Sequence, residues 1–111
     1  MNDFKPYINL AELIEELEKL PQDKFVSHGF HNPHSYRGYY QELAFEPKKD
    51  AKISGMLACA KDALGSTYTG WKGGEFTMKE WTECYITEEG SGGGDRIGQT
   101  IINLWKNELG V

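Results

Sequence analysis

The segment from residue 32 to residue 47 concentrates side chains that can hold an anionic, ring-bearing ligand. Its single arginine, Arg37, stands among three tyrosines. A guanidinium is fully charged near neutral pH and stacks on flat rings, and a tyrosine combines a flat face with a polar tip. This composition favours a nucleotide-like ligand; a strand whose arginine simply lies on the surface is the alternative, because exposed arginines are the norm. The candidate ligand-binding residues here are Asn32, His34, Ser35, Tyr36 and Arg37.

A second arginine follows a glycine-rich stretch near the C-terminus. Residues 90–94 lead into Asp95 and Arg96. They match neither the P-loop, which needs a lysine and a hydroxyl residue after its last glycine, nor the dinucleotide fingerprint, which needs a βαβ setting. Backbone without side-chain bulk could close over a ligand and bring Arg96 to a phosphate or a base. A plain linker is the alternative.

An aromatic hairpin is expected around the pair Gly73-Gly74, with Trp71 and Phe76 on its two sides. Alternate residues of a strand point to opposite faces. At least one of the two aromatic rings should therefore point away from the core and offer a stacking platform for a base.

Metal binding and catalysis have weaker support. His28, His31 and His34 are spaced by three residues, but Gly29 and Pro33 disfavour a helix, and in a strand these histidines are not expected to share one face. No neighbouring cysteine or carboxylate completes a ligand set, so we predict no metal and no cofactor.

No nucleophile elbow is present, and no catalytic residue is predicted. Glu42 and Glu46 could form a carboxylate pair, although a solvated strand edge explains them better. The prediction is a binding protein and not an enzyme.

Length and charge narrow the class of protein further. A chain of 111 residues fits one domain, from residue 1 to residue 111. Its net charge of -5 argues against general DNA or RNA binding, which needs a basic face.

The two cysteines, Cys59 and Cys84, are expected to be reduced apolar residues. No apolar stretch reaches membrane-spanning length and no signal peptide is visible, so a cytoplasmic location without a membrane partner is expected.

Local signals place the helices. Asn9 is the expected cap of the first, with Glu12 completing a capping box. Ser54 is the expected cap of a second helix that ends at about Leu64, where Gly65 supplies a left-handed stop. After residue 98, apolar residues recur at helical spacing, and a helix is favoured over a competing strand at residues 100–104.

Strand signals fill the rest of the chain. The first two strands are expected to pair antiparallel, with a loop at residues 29–33 between them, and Pro47 is expected to end the second before a charged turn at residues 47–52. The order predicts an α+β fold: an antiparallel β-sheet of about four to five strands, two main helices and a short C-terminal element. The expected strands are Lys24–His28, Tyr39–Phe45, Thr67–Lys72, Glu75–Met78 and Cys84–Thr87.

Several of these stretches resemble a family of small bacteriophage proteins, the Thoeris anti-defence sponges of the first kind. The likeness runs from about Leu10 to Ile97. It is carried by NPHSYRGYY at 32–40, LAFEP at 43–47, GWKGGEFTM at 70–78, CYI at 84–86 and GGDRIG at 93–98.

The resemblance implies a small α+β protein that assembles as a dimer or hexamer, with pockets between subunits, in the cytoplasm of an infected bacterium. Such a protein sequesters cyclic ADP-ribose isomers, and in some members cyclic trinucleotides, without cleaving them. It implies that Phe76 and Arg96 stack on the adenine and that Arg37 meets phosphates.

Two other functions stay open at this point. One is a small phage enzyme on nucleotide phosphates that uses His34 with Glu42 or Glu46. The other is a phage adaptor that blocks a host protein through its acidic surface, which net charge alone supports poorly.

Overall fold

A computed structural model describes residues 5–36, 42–69, 74–87 and 94–111 of the chain. Helices and strands alternate irregularly along it, and the predicted α+β class is confirmed. The elements are α1 (Leu10–Glu18), β1 (Phe25–Ser35), β2 (Leu43–Lys52), α2 (Ile53–Ala63), β3 (Thr67–Thr69), β4 (Glu75–Thr77), β5 (Cys84–Ile86), β6 (Asp95–Arg96) and α3 (Gln99–Leu109).

The main sheet has four strands in the order β1-β2-β5-β6, and β3 and β4 form a separate antiparallel ribbon. β1 pairs antiparallel with β2, and β5 pairs antiparallel with β6. The pair β2 and β5 is parallel, so the sheet is mixed and not wholly antiparallel as expected. Parallel neighbours need a long crossover connection, and here α2 and the β3–β4 ribbon lie in the connection between them.

β1 and β2 are much longer than predicted, because they continue through both segments that were expected to be irregular. The predicted loop at residues 29–33 and the predicted turn at residues 47–52 are wrong: Phe30 is opposite Pro47, and Phe25 is opposite Lys52. Pro47 is tolerated inside β2 because β5 pairs with β2 only at residues 43–45 of the described chain. At Pro47, β2 therefore has no described neighbouring strand on one side. The missing N–H of the proline then leaves no hydrogen bond to a neighbouring strand unmade on that side.

An extra residue in β1 changes which side chains share a face of the sheet. Asn32 has a left-handed φ of 43°, and the register with β2 shifts between His31 and Pro33. Asparagine tolerates this conformation better than most residues. Because the bulge inserts one residue, His31 and His34 come to the same face despite their spacing of three, contrary to the expectation for a strand.

The predicted start of the first helix is confirmed. The Glu12 N–H donates to Asn9 Oδ1 at 2.9 Å and the Asn9 N–H donates to Glu12 Oε1 at 3.1 Å, which is the reciprocal capping box. In α2 the cap position is Lys52, two residues before the predicted Ser54, whereas Gly65 does adopt the left-handed conformation expected of a stop, with φ 83°.

The C-terminal element is a helix of 11 residues, as long as α2, so the competing strand is wrong. Its buried side chains are Ile102, Trp105 and Leu109, at helical spacing. The Trp105 indole N–H donates to the His28 carbonyl oxygen at 2.9 Å, and its ring centroid lies 6.0 Å from that of Phe30. These contacts hold α3 against β1.

The capping box makes stability depend on pH. Lys5 and the Asn9 N–H both donate to the Glu12 carboxylate and lower its pKa below the ordinary value of 4.5. A carboxyl whose pKa is lower in the folded state stabilises the fold above pH 4.5, and this contribution is lost as the pH falls through the folded-state pKa. We expect Glu12→Gln to lower the free energy of unfolding by about 1 kcal/mol at pH 7 and by a smaller amount at pH 3.

Urea unfolding of both proteins at the two pH values measures this difference. Glu15→Gln, on the exposed side of the same helix, is the matched control and should change little at either pH. A Glu12→Gln deficit that persists unchanged at pH 3 would contradict the assignment.

Candidate functional site

One row of residues crosses the four strands of the sheet. His34 is opposite Ala44, Ala44 is opposite Tyr85, and Tyr85 is opposite Arg96. Directly opposed residues of neighbouring strands present their side chains on the same face. Ala44 is fully buried and small. The larger side chains that the row presents on this face are therefore those of His34, Tyr85 and Arg96.

Arg96 is the centre of a group that we call the Arg96 cluster: Tyr7, Tyr36, Glu83, Tyr85 and Arg96. The Arg96 Cζ lies 3.7 Å from the centroid of the Tyr7 ring and 5.7 Å from that of Tyr85. Its Nη2 forms an ion pair with Glu83. The guanidinium is thus stacked on a ring and held by a carboxylate, with about a third of the side chain exposed.

The rings of Tyr36 and Tyr85 extend the cluster along the surface. Their centroids are 4.1 Å apart and their planes differ by 11°, which is a stacked arrangement. The Tyr36 N–H donates to the Glu42 carbonyl oxygen at 2.8 Å and so fixes the backbone at the end of β1. Burial raises the pKa of the Tyr85 phenol, while the nearby Arg96 opposes that shift. Tyr85 therefore keeps its hydroxyl proton at neutral pH and can donate a hydrogen bond.

Tyr7 reaches Arg96 because the N-terminal segment lies against the start of α3. The Ile8 N–H donates to the Ile97 carbonyl at 3.0 Å, and the Gln99 N–H donates to the Lys5 carbonyl at 2.8 Å. Gly98 lies between these two hydrogen bonds and lacks the Cβ that would collide with the backbone of residue 6.

Two nitrogen atoms of the row are buried and have no hydrogen-bond partner among the described residues: His34 Nε2 and Arg96 Nε. His34 Nδ1 lies 3.0 Å from the Ser35 carbonyl oxygen, which can only accept. Nδ1 therefore carries the proton in the neutral ring, and Nε2 is left as an acceptor. Arg96 Nε–H is a donor. Unsatisfied buried polar groups cost free energy, so a ligand that supplied both partners would recover that cost.

The other predicted ligand-binding residues lie elsewhere. Asn32 is exposed at the bulge, and Ser35 is buried on the face of β1 opposite to His34. Phe76 is opposite Tyr68 on the β3–β4 ribbon and packs against the hydrophobic core. Asp95 precedes Arg96 on β6 and so points to the other face of the sheet.

Arg37 and Trp71 lie outside the described residues, as does most of the glycine-rich stretch. Three members of the Arg96 cluster, Tyr7, Glu83 and Tyr85, were not predicted. Glu83 and Tyr85 are two residues apart, and this spacing places their side chains on one face of the sheet next to β6. The same spacing in the sequence could have identified them as site residues. For Tyr7 no local signal existed, because its position depends on a contact with the distant Gly98.

Within the described ranges, no three His, Cys, Asp or Glu side chains are grouped so that they could hold a metal ion. Cys59 and Cys84 are free thiols, and burial raises the pKa of each. Glu46 is opposite His31 on the sheet.

The stacked rings, the guanidinium and the tyrosine hydroxyls of the Arg96 cluster suit the binding of a flat anionic molecule.

None of the described helices is long and apolar enough to cross a membrane. The chain matches no protein-family model, and no similar curated protein or solved structure was found.

Proposed function

We propose that this protein binds a nucleotide-derived immune signal, such as a cyclic ADP-ribose isomer or a cyclic oligonucleotide, and sequesters it without cleavage during phage infection. The proposal combines the sequence resemblance to anti-defence sponges with the chemistry of the Arg96 cluster. A sponge needs a surface that stacks on a base and holds a phosphate, and it needs no nucleophile.

The observation that carries the proposal is the guanidinium of Arg96 stacked on Tyr7, with a buried Nε–H that lacks an acceptor in the described chain. A phosphate oxygen would satisfy this donor by a charge-assisted hydrogen bond. The stacked rings of Tyr36 and Tyr85 beside it offer a flat surface to a base. Glu83, now paired with Arg96, is the group that an incoming phosphate would displace.

We further propose that the protein acts as a homo-oligomer, as the resemblance implies. The ring contacts of Arg96 are with Tyr7 and Tyr85, whereas Phe76 contacts the core and Tyr68 within the same chain. If Phe76 and Arg96 both stack on one base, a second copy of the chain is the source of one of them.

Native mass spectrometry of protein purified from infected cells tests both statements together, since it reports the number of subunits and any retained compound. Heating the complex and analysing the released compound then separates the functions. An intact signal supports sequestration. A cleaved compound favours an enzyme on nucleotide phosphates, and a stoichiometric host protein without a small molecule favours an adaptor.

Arg96→Ala is expected to weaken the binding of cyclic ADP-ribose isomers by about 1.5–3 kcal/mol, because a charged hydrogen bond to phosphate and one stacking partner are lost. Isothermal titration calorimetry on the folded variant measures the change. Lys61→Ala removes an exposed cation from α2, outside the cluster, and should bind as the parent does. Equal affinity of Arg96→Ala and the parent would refute the proposed site.

A further inference from the structure

The carboxylate of Glu83 already occupies part of the guanidinium that a ligand of the Arg96 cluster would bind. A guanidinium presents its N–H groups as a rigid fork, and the Nε–H and one N–H of Nη2 form one edge of that fork. Glu83 is ion-paired with Nη2 of Arg96, whereas the buried Nε–H has no acceptor among the described residues. This edge is therefore only half used, and a side chain of the protein itself holds the used half.

The position of Arg96 is fixed by contacts other than the one with Glu83. The Arg96 Cζ lies 3.7 Å from the centroid of the Tyr7 ring, and its backbone is paired with Tyr85 of the neighbouring strand. Both contacts would remain if the Glu83 carboxylate moved away. The ion pair is therefore a contact that a ligand can replace without rearranging the strand.

The side chain of Glu83 has space to move, although its backbone does not. The Leu43 N–H donates to the Glu83 carbonyl oxygen at 2.9 Å, which holds the main chain against β2. The side chain is 40% exposed, and Glu83 lines two concavities of about 290 and 200 Å³ beside the exposed Trp81. Rotation of the side chain alone can therefore take the carboxylate from the guanidinium into solvent.

A second carboxylate makes this face less favourable for a further anion. Burial is the main cause of the raised pKa of the Tyr85 phenol; Arg96 opposes the shift, and the carboxylates of Glu83 and Glu42 add to it. Both carboxylates are therefore close enough to act on charges at Tyr85. An anion that binds Arg96 must displace the first carboxylate and remain near the second, which disfavours weakly bound anions.

We propose that Glu83 is an internal competitor for the anion site: it makes the Arg96 fork unavailable to weakly bound anions, and it is displaced by a phosphoryl group whose oxygens accept from Nε–H and Nη2 together. Such a group accepts charge-assisted hydrogen bonds from both donors. The ligand class is a phosphate ester attached to a flat ring, because stacking of the ring on the tyrosines offsets the loss of the ion pair. The inference rests on the proposed function for the natural ligand, whereas the competition itself can be measured with simple probes.

Glu83→Gln tests the competition, because it removes the charge and keeps the size of the side chain. Phenyl phosphate and benzoate are the probes, since they attach a phosphate or a carboxylate to the same ring. We expect Glu83→Gln to bind each probe about ten-fold more tightly than the parent does, with phenyl phosphate the tighter of the two in both proteins. Nitrogen-15 NMR of the arginine Nε–H signals follows the titrations. Arg96→Lys identifies the Arg96 signal by removing it, because Arg37 is the only other arginine of the chain.

Glu42→Gln is the matched control. It neutralises a carboxylate that also acts on Tyr85, but the ion pair of Arg96 in the described chain is with Glu83. This variant should change the affinity for either probe by about two-fold at most.

Two results would overturn the proposal. If Glu83→Gln bound phenyl phosphate no more tightly than the parent, Glu83 would orient Arg96 and not compete for it. If Glu42→Gln gained as much affinity as Glu83→Gln, general charge repulsion would explain both gains.

A titration with a cyclic ADP-ribose isomer separates this inference from the proposed function. If neither the parent nor Glu83→Gln binds the isomer, while Glu83→Gln gains affinity for phenyl phosphate, the competition is supported and the proposed function fails. If the parent binds the isomer and Glu83→Gln binds it no more tightly, the competition is refuted and the proposed function is supported.

Discussion

Gly98→Ala is expected to destabilise the fold by about 3 kcal/mol and to separate Tyr7 from Arg96. A Cβ at this position would lie 1.9 Å from the carbonyl oxygen of Pro6 and 2.4 Å from its carbonyl carbon. These are backbone atoms and cannot rotate away as a flexible side chain could. Because the backbone of Gly98 is extended, with φ -154°, the cost comes from this collision and not from the conformation of the residue.

Guanidinium chloride unfolding of the variant measures the loss of stability, and NMR signals of the Tyr7 ring report its release from the guanidinium. Gly55→Ala is the control. Gly55 lies in α2 with its nearest neighbour, Lys52 Cβ, at 4.0 Å, so alanine there should stabilise the protein by about 0.5–1 kcal/mol through helix propensity. A Gly98→Ala variant as stable as the parent would show that the N-terminal segment does not lie on this backbone.

Phe45→Ala is expected to cost 3–5 kcal/mol, roughly the full range for removal of a buried aromatic ring. Phe45 is 0% exposed, and its ring centroid lies 4.1 Å from that of Phe30. It is paired with Pro33 on one side and with Ile86 on the other. Its loss would therefore leave a cavity where the antiparallel and parallel parts of the sheet meet.

Urea unfolding at pH 7 measures this loss, and near-ultraviolet circular dichroism checks that the variant is folded at the start. Phe25→Ala deletes the same ring from the beginning of β1, where Phe25 is 55% exposed. That control should lie within about 0.5 kcal/mol of the parent. If the two variants lost equal stability, the assignment of Phe45 to the core would be wrong.

Prediction from the sequence was most accurate where structure depends on neighbouring residues. The capping box of Asn9 and Glu12, the left-handed Gly65 and the helical period of the C-terminal element all involve groups within a few residues of one another. The interactions that stabilise these features join residues close together in the sequence, so the features could be predicted before the fold was known.

The strand boundaries failed for the opposite reason. Residues 47–52 are charged and contain a proline, which is typical of a turn. They are strand because β1 supplies partners for them across the chain, from Phe30 opposite Pro47 to Phe25 opposite Lys52. Likewise, the bulge at Asn32 that brings His31 and His34 to one face depends on register with β2, and no local pattern reveals register.

Taken alone, the residue types predicted an α+β chain with two main helices and a short C-terminal element, and they marked arginines and aromatic rings as candidate ligand-binding residues. Only the tertiary structure decided that Arg96 stacks on Tyr7 and pairs with Glu83, while Asp95 points to the opposite face of the sheet. The physical reason is that helix capping and periodicity are interactions along the chain, whereas a binding surface is assembled from strands and segments that meet only after folding.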